Sequence, residues 1–357
     1  MSITSSELYQ CSGLVSSIQA NKKAVFSKYL QNADFAISTD AKTSTIDKNA
    51  KYLAFPFFVN YSNVILGIYS EGEEHASSDR QMMVKSTDGG LTYTKTVFFE
   101  NSTGAYDFSL FEGVIPDGGY TILKTFTITN NAGVFSATQT SFVNFDGDNF
   151  ALWSAISRTG GIDYRTGYAN DRVALFQSTD NGITWTGKSI IMEGAGQMVS
   201  EAGIVYKGSS DFVVIVRSSL QDNNRLYQVE SGNKGVSWGT PTLLNSEING
   251  TQPNLVLLPS GNLLLSVGDR SGSSGVSGGK SSYFNNNTGV NFYISIDGGA
   301  SWNSPVKVDG TYSIDGGQPC TIKHPDGGDR VYIPYYARND VSTNPNIYSV
   351  TLTTTNL

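Results

Sequence analysis

The chain has 357 residues, among them 38 Gly, 19 Tyr and 18 Phe, and 39% of it is hydrophobic while only 15% is charged. This composition is typical of a folded globular protein and excludes an intrinsically disordered chain. The net charge of −7 argues against partners that are bound through bulk positive charge, namely nucleic acid and anionic membrane surfaces.

The N-terminal segment, residues 1–50, carries the one predicted helix, a weak pattern near Val15–Leu30. Residues 1–15 lack the basic and apolar regions of a secretory signal, so no signal peptide is expected. No apolar run anywhere approaches the ~18 residues of a membrane span, so no membrane insertion is expected. Cys11 and Cys320 are expected to be two reduced thiols, and with two His residues they leave almost nothing for a zinc site.

Six pairs of short strands joined by tight turns follow along the chain. Each pair is rich in Val, Ile, Phe, Tyr and Thr and is bounded by Gly, Asn, Asp or Ser, which predicts antiparallel hairpins and an all-β fold. The six pairs are Phe55–Tyr69, Leu110–Phe126, Phe142–Ile156, Gly203–Arg217, Pro253–Val267 and Pro319–Tyr336.

Four of these hairpins are followed by an octapeptide of the form Ser-x-Asp-x-Gly-x-Thr-Trp. The copies start at Ser86, Ser178, Ser231 and Ser295. We expect each copy to be a turn in which the Asp side chain bonds the backbone, Gly takes a positive φ and the aromatic ring packs underneath. The aspartates are therefore assigned to structure rather than to metal binding or catalysis.

The repeats together predict a six-bladed β-propeller, a single domain spanning 51–357. Each blade has four strands, with the octapeptide between the third and the fourth. The second and third hairpins are too close for a full blade between them, so the blade boundaries within 100–150 stay open. The last unit lacks an octapeptide, and the segment 1–50 is expected to complete it.

If the hairpin turns and octapeptides lie on one face, the starts of the first strands and the ends of the second strands form a ring on the other face. Residues at those ends are Ala54, Glu71–Arg80, Ser157–Arg158, Glu201, Arg217, Gln252, Arg270, Tyr312, Tyr336 and Arg338. Arg217 and Arg270 occupy equivalent ends of adjacent blades, where two guanidinium groups could bind one carboxylate. The alternative is that both are solvated arginines on a rim.

The octapeptides resemble the Asp boxes (BNR repeats) of the sialidase (neuraminidase) superfamily, and the similarity runs from about Tyr52 to Arg338. The resemblance implies a glycoside hydrolase that acts on sialic acid without a cofactor or metal. Glu201 matches the family's catalytic glutamate, and Arg217, sixteen residues later, matches one of the arginines that bind the substrate carboxylate. Arg270 matches the later arginine of the family. Tyr312 is the candidate nucleophile, or else a packing residue.

The chain also departs from that family. Exo-acting members begin the first blade with Arg-Ile-Pro, whereas this chain has Ala54-Phe55-Pro56 and so lacks the first arginine. The loop before the first octapeptide offers Asp79 as a candidate catalytic acid, without a clear match to the family's aspartate. Glu74 and Arg80 are candidate substrate contacts in the same loop.

A site that keeps the glutamate but lacks the first arginine resembles that of phage endosialidases. These are tail-spike enzymes that cleave internal bonds of polysialic acid. His75 stands where a histidine contributes to that site, although a lone His is often structural. The resemblance implies a homotrimer located on a virion tail or outside the cell. Two alternatives stay open, a non-catalytic phage receptor-binding protein for an acidic surface glycan and a hydrolase or lyase for another acidic sugar.

Overall fold

The computed structural model describes residues 35–38, 44–61, 64–72, 80–100, 104–114, 120–131, 134–139, 142–154, 156–180, 182, 184–194, 198–218, 225–244, 248–269, 289–303, 306–307, 317–337 and 344–356. Within those ranges the chain forms 26 β-strands in six antiparallel sheets and no α-helix. The all-β prediction is confirmed for the described residues, while the helix predicted near Val15–Leu30 lies outside them.

The first two sheets are built on the first two predicted hairpins. Before them come β1 (Phe35–Ser38) and β2 (Ser44–Asp47), which belong to the last sheet. The first sheet consists, in spatial order, of β3 (Tyr52–Tyr61), β4 (Val64–Gly72), β5 (Arg80–Ser86) and β6 (Thr94–Glu100). The second sheet has three described strands, β7 (Gly104–Val114), β8 (Tyr120–Asn131) and β9 (Val134–Gln139).

The third sheet is more irregular than the repeat pattern predicts. Its strands are β10 (Phe142–Phe145), β11 (Asp148–Leu152), β12 (Ser157–Thr159), β13 (Ile162–Ala169), β14 (Arg172–Ser178) and β15 (Thr186–Glu193). The predicted hairpin at Asp146–Asp148 is present as β10 and β11. However, β11 and β12 both pair with β13, so they together act as the strand next to it.

The fourth and fifth sheets follow the predicted four-strand unit. The fourth contains β16 (Val199–Gly208), β17 (Asp211–Ser218), β18 (Leu226–Ser231) and β19 (Thr242–Leu243). The fifth contains β20 (Thr251–Leu257), β21 (Leu263–Asp269), β22 (Gly289–Ser295) and β23 (Val306–Lys307). In both sheets the strands are hydrogen-bonded in chain order.

The sixth sheet combines strands from the two parts of the chain that are farthest apart in sequence. Its C-terminal strands are β24 (Ile322–Lys323), β25 (Arg330–Ala337) and β26 (Asn346–Asn356). The long strand β26 also pairs with β1 and with β2, at different positions along its length. Residues 35–38 and 44–47 therefore form edge strands of a sheet made by the last part of the chain.

Neighbouring sheets share apolar cores, so many strands are buried on both faces. The run Phe212 to Val216 in β17 is fully buried, because each face of the fourth sheet packs against another sheet. Such cores join the third sheet to the fourth, the fourth to the fifth, the fifth to the sixth and the sixth back to the first. Buried pairs that mark these four cores are Leu175 and Val214, Ile215 and Leu265, Phe292 and Ile333, and Tyr336 and Tyr69.

The octapeptides are turns with the predicted hydrogen bonds. In the first copy, Asp88 Oδ1 accepts from the backbone N–H of Thr92 at 2.9 Å, and Gly90 N–H donates to Ser86 Oγ at 2.8 Å. Gly90 has a φ of 89°, a conformation that glycine adopts at low cost. The aromatic residues Tyr93, Trp185, Trp238 and Trp302 pack against the sheet cores. These turns use their aspartates structurally.

The two ends of the strands in a sheet are distinguished by their turns, as the fourth sheet shows. We call the edge with the hairpin turn and octapeptide the turn edge, represented in the fourth sheet by Phe212 and Ser231, which are paired. We call the opposite edge the entry edge, where β16 begins at Val199 opposite the end of β17 at Ser218. The binding site predicted from the sequence would lie at the entry edge.

Two residues predicted for the entry edge are elsewhere, and this corrects the prediction. Ser157 and Arg158 lie in β12, beside the Gly160–Gly161 turn, so they are at the turn edge of the third sheet. Arg158 donates to both carboxylate oxygens of Asp163, at 2.5 and 2.7 Å. Asp163 in turn pairs with Ser178, which starts an octapeptide. The prediction took Asp146–Asp148 as the hairpin turn of this unit, whereas the turn that leads from β12 into β13 is at Gly160–Gly161.

Candidate functional site

Glu201 and Arg217 form an ion pair at the entry edge of the fourth sheet. Arg217 Nη1 donates to Glu201 Oε2 at 2.6 Å, and only 12% and 11% of their side chains are exposed. The pair joins the start of β16 to the end of β17, since the two strands run antiparallel. The structure thus brings together the two residues that the sequence placed sixteen positions apart.

The fifth sheet contributes a backbone donor to the same carboxylate. Gln252 N–H donates to Glu201 Oε2 at 2.8 Å, so this one oxygen accepts from a guanidinium and an amide. Gln252 has a φ of 51°, which is strained for a residue with a side chain and costs about 1–2 kcal/mol. A β-bulge between Thr251 and Asn254 produces this conformation. Sequence reasoning named Gln252 for the edge but not this backbone contact.

Tyr168 lies within electrostatic reach of the ion pair and Trp153 packs on Tyr168, and sequence reasoning missed both. Tyr168 is at the end of β13, at the entry edge of the third sheet, and its ring is 5.7 Å from that of Trp153 in an edge-to-face arrangement. Burial raises the pKa of the Tyr168 phenol, the negative charge of Glu201 raises it further, and Arg217 opposes these effects. The phenol is therefore neutral near pH 7.

The sequence does contain a pattern that indicates this strand. Tyr164, Thr166 and Tyr168 stand at every second position, as the residues on one face of a β-strand do. The misplaced third unit hid it, since residues 162–169 were not recognised as the strand that ends at the entry edge.

Arg80, a predicted substrate contact, lies at the entry edge of the first sheet. It pairs with Glu71 across β4 and β5, with Arg80 Nη1 at 3.6 Å from Glu71 Oε1. Asn49 Nδ2 also donates to Glu71, at 2.7 Å. The Arg80 side chain is 43% exposed, whereas that of Glu71 is buried. Arg80 is thus at a surface from which a ligand could be contacted.

A polar cluster lies near this edge, in which Tyr69 and Asp47 are buried and the Lys95 side chain is 42% exposed. Tyr69 donates its hydroxyl proton to Asp47 Oδ2 at 2.5 Å, and Lys95 Nζ lies 2.7 Å from Asp47 Oδ1. Burial raises the pKa of Tyr69 well above its usual range, and the hydrogen bond to Asp47 raises it further. The cluster joins β2 to the first sheet and serves packing.

The other predicted site residues are not placed by the structure. His75, Asp79 and Glu74 of the first-sheet loop, together with Arg270 and Tyr312, lie outside the described residues. Tyr336, predicted for the ring, is fully buried in the core shared by the sixth and first sheets. The described part of the site is therefore centred on Glu201 and Arg217.

Two general features of the described ranges bear on the kind of site. No group of three or more His, Cys, Asp or Glu side chains there could hold a metal ion. No helix within the same ranges is long and apolar enough to cross a membrane. The described residues at the entry edge thus include two arginine–carboxylate pairs, Glu201–Arg217 and Glu71–Arg80, and the aromatic pair of Tyr168 and Trp153.

Comparisons with known proteins show the fold. The sequence matches no protein-family model and no curated protein. A protein of unknown function from Dyadobacter fermentans is similar in structure, with a TM-score of 0.65, 14% identity, and coverage of 89% of this chain and 99% of that one. The endosialidase of phage phi92 has a TM-score of 0.58 and 10% identity, covering 88% of this chain and 69% of that one.

A third similar structure is an α-L-arabinofuranosidase from Fusarium graminearum. Its TM-score is 0.57 at 11% identity, with 88% of this chain and 97% of that chain covered. The neighbours named for an activity are β-propeller glycosidases, so the chain has the all-β architecture of sialidase-like and related glycoside hydrolases. At these identities the likeness shows the fold alone.

Proposed function

We propose that this chain is a six-bladed β-propeller that binds an acidic glycan at the entry edge and hydrolyses it, with sialic acid or polysialic acid as the first candidate. The observation that carries the proposal is the Glu201–Arg217 pair, which stands at that edge where the third, fourth and fifth sheets meet. An enzyme acting on an acidic sugar needs both a positive group for the sugar carboxylate and a negative group near the glycosidic bond.

The six-blade count and the domain limits belong to this proposal. Six sheets, with the sixth packed back on the first, support a closed ring with 51–357 as one domain. The pairing of β1 and β2 with β26 supports a role for the segment 1–50 in completing the last blade. The octapeptides would then be Asp boxes, the BNR repeats of sialidases.

The proposed roles follow from charge and position. Glu201 is the main catalytic carboxylate and Arg217 orients the sugar carboxylate. Arg80 contacts the substrate from the first sheet. The remaining proposed residues lie outside the described ranges; they are His75, Asp79 and Tyr312 as catalytic groups and Arg270 and Glu74 as substrate contacts.

The net charge of −7 does not oppose this ligand. At physiological salt, charges beyond about 8 Å are largely screened, so the local arginines decide the field at the site. The proposal requires a positive surface around Arg217 on an otherwise negative molecule. Partners bound by bulk positive charge, such as nucleic acid, are not part of the proposal.

A non-catalytic receptor-binding protein for an acidic surface glycan is the second candidate. One observation favours it, because Glu201 already accepts from Arg217 and Gln252 and is 11% exposed. A carboxylate held in this way is suited to a fixed structural charge. For both candidates, the resemblance to tail spikes supports a location on a virion tail or outside the cell and a homotrimeric assembly.

The test is incubation with α2,8-linked polysialic acid and, separately, with a monomeric sialoside, followed by chromatography of the products. Short oligomers from the polymer indicate endo cleavage, and released sialic acid indicates exo cleavage. Glu201→Gln should lower product formation by about a hundredfold or more. Glu230→Gln is the matched control, because Glu230 is an exposed carboxylate on β18 in the same sheet, and it should leave the rate unchanged.

Three results would change the conclusion. Binding without products supports the receptor candidate, and products unchanged in Glu201→Gln remove Glu201 from catalysis. Absence of both binding and products contradicts the proposed ligand.

A further inference from the structure

The third sheet is docked onto the fourth by a side-chain bond that fixes which face of β13 points to the ion pair. Thr166 Oγ1 donates to the backbone oxygen of Ala202 at 2.7 Å, and both groups are buried. Alternate residues of a strand share a face, so Tyr168 lies on the same side as Thr166, one pair of residues nearer the entry edge. Ala202 directly follows Glu201, and the charges of Glu201 and Arg217 both act on the Tyr168 phenol.

Trp153 is held against Tyr168 by the backbone. The backbone N–H of Trp153 donates to the backbone oxygen of Thr166 at 2.8 Å, in the segment between β11 and β12. The planes of the two rings meet at 68°, and both side chains are half-buried. An edge-to-face arrangement is one that aromatic pairs prefer, and it stabilises the pair beyond the area that the rings bury.

The outer part of this pair is accessible and has bonding capacity. Among the residues that the structure describes, none is a hydrogen-bond partner of the Tyr168 hydroxyl. Met198, three residues before Glu201 in the chain, is 57% exposed and adds an apolar surface at the start of β16. Small-molecule sites are lined mainly by apolar and aromatic side chains with a few polar groups, and a partly exposed aromatic pair near a charge pair has that composition.

We propose that Tyr168 and Trp153 form an aromatic subsite that packs against the apolar C–H face of a sugar ring, with the Tyr168 hydroxyl bonding a sugar oxygen. The proposal rests on the proposed function in that the ligand is a glycan bound at the same edge. It adds the residues that bind a ring rather than a carboxylate. The subsite therefore accepts a sugar ring whether that ring is charged or neutral.

The test measures glycan affinity by isothermal titration calorimetry with α2,8-linked oligosialic acid and with a neutral galactose-terminated oligosaccharide. Tyr168→Ala removes the ring and should weaken binding about tenfold or more, and Tyr168→Phe removes only the hydroxyl and should weaken it about threefold. Trp153→Phe should abolish any ligand-induced change in tryptophan fluorescence that arises at the subsite.

Tyr206 provides the matched control. It is also half-buried, packs edge-to-face on Phe212 at 5.3 Å and contacts the same core, but it lies at the turn edge. Tyr206→Ala and Tyr206→Phe should leave both affinities unchanged. Circular dichroism confirms that each variant is folded.

The outcomes separate this inference from the proposed function. If oligosialic acid binds and Tyr168→Ala binds it as tightly as the wild type, the subsite is overturned and the proposed ligand stands. If only the neutral glycan binds and Tyr168→Ala weakens it, the subsite stands and the acidic ligand fails. If the wild type binds neither glycan, or if Tyr206→Ala weakens binding as much as Tyr168→Ala, the subsite is overturned.

Discussion

At the scale of single residues, the candidate site depends on one nearly buried ion pair. Glu201 and Arg217 are 2.6 Å apart, and the Glu201 oxygen that binds Arg217 also accepts from Gln252. Removing two charges from water is expensive, and here it is offset by charge-assisted hydrogen bonds. The pair thus contributes to the join between the fourth and fifth sheets as well as to any chemistry at the entry edge.

Loss of the Glu201 charge should destabilise the protein, because it leaves Arg217 nearly buried without its carboxylate. We expect Glu201→Gln to lower the free energy of unfolding by about 3 kcal/mol. The double variant Glu201→Gln, Arg217→Met should recover part of that loss, since no charge stays buried. Urea denaturation measures both changes.

The matched comparison is Glu230→Gln in the exposed Lys207–Glu230 pair, where 48% of the Glu230 side chain is accessible. An exposed pair contributes about 0–1 kcal/mol, so this variant should be close to the wild type. Equal effects in the two single variants would show that the Glu201–Arg217 pair behaves as a surface ion pair.

At the scale of elements, the octapeptide turns show how one motif tolerates a change of residue. The third copy carries Asn233 where the others carry Asp, yet its Oδ1 still accepts from Ser237 N–H at 2.9 Å. The amide nitrogen of Asn233 donates to Ser237 Oγ at 2.7 Å. In the fourth copy the corresponding bond runs in the opposite direction, because Asp297 accepts from Ser301 Oγ at 2.5 Å. The turn needs a short polar side chain with an acceptor and does not need a charge.

Asp297→Asn should therefore be nearly neutral for stability, because the fourth turn can adopt the bonds of the third. Asp297→Ala should lower the free energy of unfolding by about 1–2 kcal/mol, since the Ser301 N–H loses its acceptor. Thermal unfolding followed by circular dichroism measures both variants. A large loss in Asp297→Asn would instead indicate a role for the negative charge.

At the scale of the whole molecule, the sixth sheet closes on the first through a buried histidine. His324 Nε2 lies 3.1 Å from the backbone oxygen of Gly89 in the first octapeptide, and its Nδ1 accepts from Asp326 N–H at 3.2 Å. Both bonds form when the proton is on Nε2, so the imidazole is neutral. Burial lowers the pKa of His324 below its ordinary 6.5, and the Arg330 charge lowers it further, while Asp326 opposes this.

A depressed histidine pKa makes the folded state bind fewer protons than the unfolded state. Stability from His324 is thus fully present above pH 6.5 and is lost as the pH falls through the lower folded-state pKa. We expect the melting temperature to fall between pH 7 and pH 5, and to fall less in His324→Gln. Differential scanning calorimetry across this range measures the slope.

Asp88 titrates at a lower pH than His324, so it does not contribute to the change in stability between pH 5 and pH 7. Hydrogen bonds from Thr92, first from its hydroxyl and then from its backbone N–H, lower the pKa of Asp88 from 3.8 to about 2. Its contribution is present above pH 3.8 and is lost only as the pH falls towards 2. An equal pH 5 to 7 slope in the wild type and His324→Gln would therefore contradict the role of His324.

Much of the fold could be predicted from local patterns. The hairpins centred on residues 60–63 and 208–211 and the octapeptide turns depend on short-range chemistry, namely apolar runs, Gly at positive φ and Asp bonding its own turn. The third sheet could not be predicted in the same way, because β11 and β12 are two pieces of one strand separated by a bulge. Because the chain continues through β12 to a turn at Gly160–Gly161, Ser157 and Arg158 lie at the turn edge and Tyr168 lies near the entry edge.

In the candidate site, too, some features follow from local sequence and others from packing between sheets. The sequence alone determined that Glu201 and Arg217 stand at one edge, because a hairpin of known length brings its two ends together. Only the tertiary structure decided that Gln252 donates its N–H to Glu201, that the charge of Glu201 acts on Tyr168, and that Trp153 packs on Tyr168. Those contacts join three different sheets, and packing between sheets follows from the summed shape of their faces, which no local pattern in the chain encodes.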